Sequence, residues 1–290
     1  MKTHLAMAAA LLLAQPCGCG GSDKADDDAD AGDTATDTAD AGDATAEAPW
    51  DVEPPEGNCP EGWTCRSHGL PPFNGVDILV VVDDSASMSE EQENMIDQFP
   101  GLIEDLLWPL LSPYTGKPYS SPINDLHLGV ISTDMGTDGY DVDGCDFPLT
   151  GKDGILQSSS SGLAGCEPSY PDYLAYDEDA PVPDEVEWMG KSFSCIAALG
   201  TGGCGVEQQL EAALKALTEN SETGGPNEGF LRDDTVLVVL WLSDEDDCSV
   251  EDTSLLDPDD ASLPHFNLRC YETALRDRLH GVSRYVDGLT

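Results

Sequence analysis

Two valine-rich runs constrain this chain more than anything else in it. The first, Val76-Asp77-Ile78-Leu79-Val80-Val81-Val82, stops abruptly at Asp83-Asp84-Ser85-Ala86-Ser87. The second, Thr235-Val236-Leu237-Val238-Val239-Leu240-Trp241-Leu242, stops at Ser243-Asp244-Glu245-Asp246. Near-continuous apolar runs of this length suit central strands of a parallel sheet, buried on both faces. An acid with neighbouring hydroxyls is poor core material, but it places hard oxygens on the loop leaving a rigid strand. Ligands of open α/β sheets gather at such carboxyl ends, and oxygen donors of this kind suit a hard cation.

The sequence between and after these runs alternates in the α/β manner. Glu90 to Leu111 reads as a helix with one broad apolar face (Met95, Ile96, Phe99, Leu102, Ile103, Leu106, Leu107). Pro100 is expected to kink or split it, and Ser87 and Ser89 to cap its start. Residues 126–133 form a second strand candidate. Residues 135–195, rich in Gly, Asp, Ser and Pro, read as a long disulfide-tied insertion. A helix is expected from Val206 to about Leu217, and helical sequence from about Leu268 onward. After Leu242 no run reads as another buried strand, so the sheet is expected to lack its C-terminal strands.

The 290 residues carry a formal charge of −45, with 57 acids against 12 Lys and Arg. Binding phosphate needs a basic face, so neither nucleic acid nor a nucleotide is expected as a partner. Such a surface is soluble, self-repelling and attractive to cations. Residues 1–19 resemble a bacterial lipoprotein signal: Lys2, a short apolar stretch from Leu5 to Ala14, then Cys17 and Cys19. Cys19, preceded by the small Gly18, is the expected lipidation site, with Cys17 the alternative. Residues 20–57 form an acidic tether in which Ala-Asp-Ala-Gly-Asp occurs at 29–33 and again at 39–43, a composition with little to bury. The folded domain is expected over 58–290. The protein is thus expected to be exported and lipid-anchored in the cell envelope (outer membrane or cell surface), touching the membrane by that anchor only; secretion is the alternative. Export permits disulfides, and the clustering of eight cysteines suggests the sequential pairs Cys59–Cys65, Cys145–Cys166, Cys195–Cys204 and Cys248–Cys270.

Asp83-x-Ser85-x-Ser87 after a hydrophobic strand, followed by Met88 and a helix, resembles the first signature of the von Willebrand factor A-type (VWA) domain family. Ser243-Asp244 at the later strand end is similar to that family's later metal-site aspartate. The resemblance covers roughly residues 75–290. It implies a three-layer, doubly wound α/β fold with a mostly parallel sheet and a metal-ion-dependent adhesion site (MIDAS) for Mg²⁺, or Ca²⁺ or Mn²⁺. The implied metal residues are Asp83, Ser85, Ser87 and Asp244. The family's third loop supplies a threonine; here Gly200-Thr201-Gly202-Gly203-Cys204-Gly205 puts Cys204 at that place. Thr201, Thr133 or a water are the alternatives, with Thr201 the candidate residue. Glu90 and Glu91, with Asp246, form a candidate second cation site.

The function so implied is binding, not catalysis. A partner protein offering an acidic residue would complete the shell of the bound ion. The alternative is a structural envelope protein whose metal site is degenerate and whose acidity serves calcium or salt tolerance.

Overall fold

The computed structural model describes residues 75–289, apart from 115, 117, 119–121, 161–162 and 178–184, together with the backbone of Met7–Leu11. The expected lipidation sites Cys17 and Cys19, the tether, and the pair Cys59–Cys65 lie outside the described residues.

The domain is α/β. β2 (Gly75–Val82), β3 (Asp125–Ser132), β4 (Leu174–Asp177) and β5 (Thr235–Leu242) are four strands of a five-stranded mixed sheet, in the order β5-β2-β3-β4. β2 pairs in parallel with both β3 and β5, and β4 runs antiparallel to β3. β1 (Met7–Leu11), inside the segment read as an export signal, pairs in parallel with the other side of β5. Both valine-rich runs therefore lie side by side in the centre, and all eight residues of β2 are buried. Burying each Val, Leu or Ile of such a strand contributes roughly 1.5–3 kcal/mol. Alternation sorts them: Ile78, Val80 and Val82 face one cluster, Leu79 and Val81 another.

Helices cover both clusters. α1 (Ser89–Leu107) and α2 (Glu185–Ala197) cover the first through Met95, Ile103, Leu107, Met189, Phe193 and Ile196. α3 (Gln209–Leu217) and α4 (Ser283–Leu289) cover the second through Ala212, Ala213, Ala216, Leu217, Tyr285 and Leu289. A third, smaller cluster around Cys248, Val250, Leu255 and Leu256 holds the segment after β5.

Several expectations change. Pro100 does not split α1, which runs unbroken through it. A proline has no N–H for the carbonyl four residues back, and here Ser194 Oγ of α2 donates to that carbonyl, Ile96 O, at 2.7 Å. α2 also comes close enough that a Cβ on Gly190 would stand 3.0 Å from Pro100 Cβ. No side-chain cap closes the start of α1, because a 3₁₀ turn puts Met88, not a serine, at the N-cap. The insertion 135–195 is not loop throughout: it contains β4 and most of α2. The C-terminal part is less helical than expected, with short 3₁₀ turns at Phe266–Leu268 and Thr273–Arg278 before α4. Among the described residues no strand follows β5.

The cysteine pairing is corrected as well. Cys248–Cys270 is as expected, but the other four residues pair as Cys145–Cys204 and Cys166–Cys195, not as Cys145–Cys166 and Cys195–Cys204. Proximity in sequence misleads here because the insertion folds back on the chain that follows it. Asp146 N donates to Gly202 O at 3.1 Å, laying the first cysteine against the 200–205 loop.

Candidate metal centre

The order β5-β2-β3 places the chain's reversal between β2 and β5. α1 leads from β2 to β3 on one side, and the later connection returns to the other side of β2. A crevice at the carboxyl ends of the two central strands is the expected ligand site of such a sheet. The loops there are held together: Asp83 N donates to Leu242 O at 2.9 Å, Thr133 N to Val82 O at 3.1 Å, and Gln208 N to Thr133 O at 3.1 Å.

Four of the expected ligand residues come together in this crevice. Asp83 is fully buried. Its Oδ1 accepts from Ser85 N at 2.8 Å and its Oδ2 from Ser243 Oγ at 2.6 Å. Ser85 Oγ and Ser87 Oγ are 3.2 Å apart, and Ser87 Oγ donates to Asp244 Oδ1 at 3.2 Å across 157 residues of sequence. The result is a continuous row of hard oxygens from one strand end to the other. No Lys or Arg pairs with Asp83 or Asp244 among the described residues. Burial pushes the Asp83 carboxyl above its ordinary range; the bonds from Ser243 and Ser85 oppose that rise and the nearby Asp244 adds to it. Buried charge without a counterion is costly, and this site has that character.

The adjacent acid is treated differently. Asp84 Oδ1 accepts from Ser132 Oγ at 2.6 Å, and its Oδ2 is bonded to Lys152. Gly203 presses on it so closely that a Cβ there would stand 2.3 Å from Asp84 Oδ1. Asp84 is therefore a packed, neutralised strut beneath the crevice. Asp134 stands beside it, raised above the carboxylate range by burial and by Asp84.

The 200–205 loop approaches from the side. Gln92 of α1 clamps it, donating from Nε2 to both Asp83 O (2.8 Å) and Gly200 O (2.9 Å) and accepting from Gly200 N (3.1 Å). Cys204 is buried in its disulfide, and a bonded sulfur is a poor donor to a hard cation. Thr201 is exposed, with no hydrogen bond to the four ligand residues among the described residues. Thr133 is buried, and its backbone ties β3 to the neighbouring loops. Glu90 and Glu91 stand in the first turn of α1, where the helix dipole favours acids. Asp246 is exposed on the loop after β5.

Two contributors escaped the sequence. Ser243, placed by the end of β5, holds Asp83 Oδ2 while accepting from Gln209 Nε2 at 2.9 Å. Glu207 is buried just before α3, and burial, with Asp83, Glu245 and Asp244 nearby, raises its carboxyl to about 8. The only sequence signal for Glu207 is its position three residues after Cys204, at the end of the loop where a third ligand was sought.

The donor set fits a hard divalent ion on chemical grounds: two neutral hydroxyls and two carboxylates, preorganised on strand ends. Among the described residues no three His, Cys, Asp or Glu side chains group closely enough to hold a metal by themselves, so a cation here would depend on the serine hydroxyls. Compared with protein-family models, curated proteins and solved structures, the chain has no match.

Proposed function

We propose that this protein is an exported, surface-tethered module of VWA-like, three-layer architecture that binds a partner protein through a divalent cation held by Asp83, Ser85, Ser87 and Asp244. The observation that carries this reading is the Ser87–Asp244 hydrogen bond, which joins the two strand ends into one row of oxygens beside a buried Asp83 that pairs with no Lys or Arg among the described residues.

The chain's own groups divide the work. Ser243 Oγ and Ser85 N–H hold both oxygens of Asp83, so the carboxylate is oriented before any ion arrives. Ser85 and Ser87 offer oxygen without charge, and Asp244 stands at the exposed rim. A divalent cation bound there would supply a Lewis-acidic centre with room for a partner's carboxylate, since few direct charges leave Mg²⁺ electrophilic and partly hydrated. Gln92 ties the 200–205 loop to Asp83, and Gln209 ties α3 to the loop after β5.

A degenerate site in a structural envelope protein is the rival reading, and the disulfide-bonded Cys204 in the third loop favours it. Titration calorimetry of the full chain with Mg²⁺, Mn²⁺ and Ca²⁺ separates the two. A single-site heat that disappears in Asp83→Ala is the expected result. Heat that survives Asp83→Ala, or that arises only from many millimolar Ca²⁺ sites, overturns the proposal in favour of the rival.

A further inference from the structure

At the far end of α1 from Asp83 the surface changes character. α1 spans 19 residues, roughly 28 Å at 1.5 Å per residue. Its last two turns, the start of α2 and the loop around Leu163 enclose an open cleft of about 1070 Å³. The walls are largely apolar, with Gly101, Trp108, Leu163, Tyr176 and Val186 among them. Trp108 is 67 % exposed and Leu163 40 %. The chain leaving α1 carries further exposed apolar side chains, Leu110, Leu111 and Tyr114, all more than half exposed. Scattered exposed hydrophobics need no explanation, but a large, mostly apolar cleft is a candidate binding surface.

The frame of the cleft is rigid. The Cys166–Cys195 disulfide ties the loop wall to α2. The Gly190–Pro100 contact and the Ser194–Ile96 hydrogen bond fix α2 on α1. A preorganised apolar cleft loses little on closing over a ligand.

The rim selects the occupant by charge. Among the described lining residues, Glu104 and Glu187 stand against Lys191. A second copy of this chain, at −45, is repelled. A complementary occupant is positively charged and apolar. Trp108 adds an aromatic face for a cation, worth roughly 0.5–1 kcal/mol at an exposed site.

We propose that this cleft docks a basic, apolar peptide segment of a partner protein, at a site separate from the Asp83 crevice. The test is fluorescence anisotropy of a labelled peptide alternating lysine and leucine, titrated with the full chain at physiological salt. A lysine–glycine peptide of equal charge is the control. The lysine–leucine peptide should bind at least tenfold more tightly than the control, and Gly101→Trp should weaken it at least tenfold. That substitution is compatible with the fold, because a Cβ on Gly101 meets nothing within 4 Å. Trp108→Ala should weaken binding as well, while Asp83→Ala and EDTA leave it unchanged, which keeps this proposal distinct from the metal reading. Equal affinity for the two peptides, or wild-type affinity in Gly101→Trp, overturns it.

Discussion

Asp77 near the start of β2 and Asp83 just past its end are both fully buried, yet the molecule surrounds them differently. Asp77 meets a cation of its own chain. Arg232 donates through Nε to Oδ1 at 2.8 Å and through its backbone N to Oδ2 at 2.9 Å, and Thr235 Oγ1 donates to Oδ2 at 2.7 Å. Arg232 also binds Asp125. Among the described residues Asp83 is held by neutral donors, the Ser243 hydroxyl and Ser85, and meets no Lys or Arg. One end of the strand is a closed, internally neutralised ion pair; the other is a buried acid surrounded by neutral donors at the carboxyl ends of the central strands. A buried acid with its own arginine is part of the scaffold. On the proposed reading, a buried acid held by neutral groups at a strand end is arranged for a cation from outside.

The sharpest way to break this contrast is the same substitution at both ends. Asp77→Asn strips a buried ion pair of one partner and should destabilise the protein by roughly 3–5 kcal/mol in denaturant unfolding. Asp83→Asn, in metal-free buffer, should be neutral or stabilising, because it removes a desolvated charge that has no counterion. Equal losses at the two positions would show that Asp83 is an ordinary structural acid.

Acidity gives a second, smaller effect. Glu207 and Asp83 both have folded-state pKa values above their unfolded ones, Glu207 at about 8. A group so raised stabilises the fold below its unfolded pKa, and that contribution is lost as pH rises through the folded value. Metal-free protein should therefore lose stability between about pH 5 and pH 8, by an amount on the order of a few kcal/mol. Glu207→Gln should flatten the profile over that window when melting temperature is followed against pH. A profile that rises over the same window would reverse the assignment.

The smallest effect concerns the third loop. Thr201→Ala should leave Mg²⁺ affinity within twofold of wild type by calorimetry, whereas Ser87→Ala, which breaks the bond to Asp244, should weaken it at least tenfold. A matched loss in Thr201→Ala would bring that hydroxyl into the site.

Much of the central scaffold is legible from local pattern. The two valine-rich runs do become adjacent parallel strands, α1 follows the first, and the acids at their ends face one crevice. Each of those outcomes follows from apolar periodicity and from the abrupt polar stop, which are local properties. α2 carried the same signal in Val186, Met189, Phe193, Ile196 and Ala197, spaced as on one helical face. The Gly, Ser and Pro content of the stretch before it masked that spacing.

What was legible in the amino-acid sequence by itself is therefore the three parallel strands β2, β3 and β5, the helices α1 and α3, and the chemistry of the strand-end loops. Tertiary structure alone decided the partners of Cys145, Cys166, Cys195 and Cys204, the role of Ser194 in carrying α1 through Pro100, and the placing of Glu207 beside Asp83. It also decided which buried acid has a cation. Arg232 reaches Asp77 across 155 residues, and Lys152 reaches Asp84 across 68. Periodicity speaks only for a residue's own element, whereas a counterion is assigned by which remote loop the folded sheet brings within hydrogen-bonding distance.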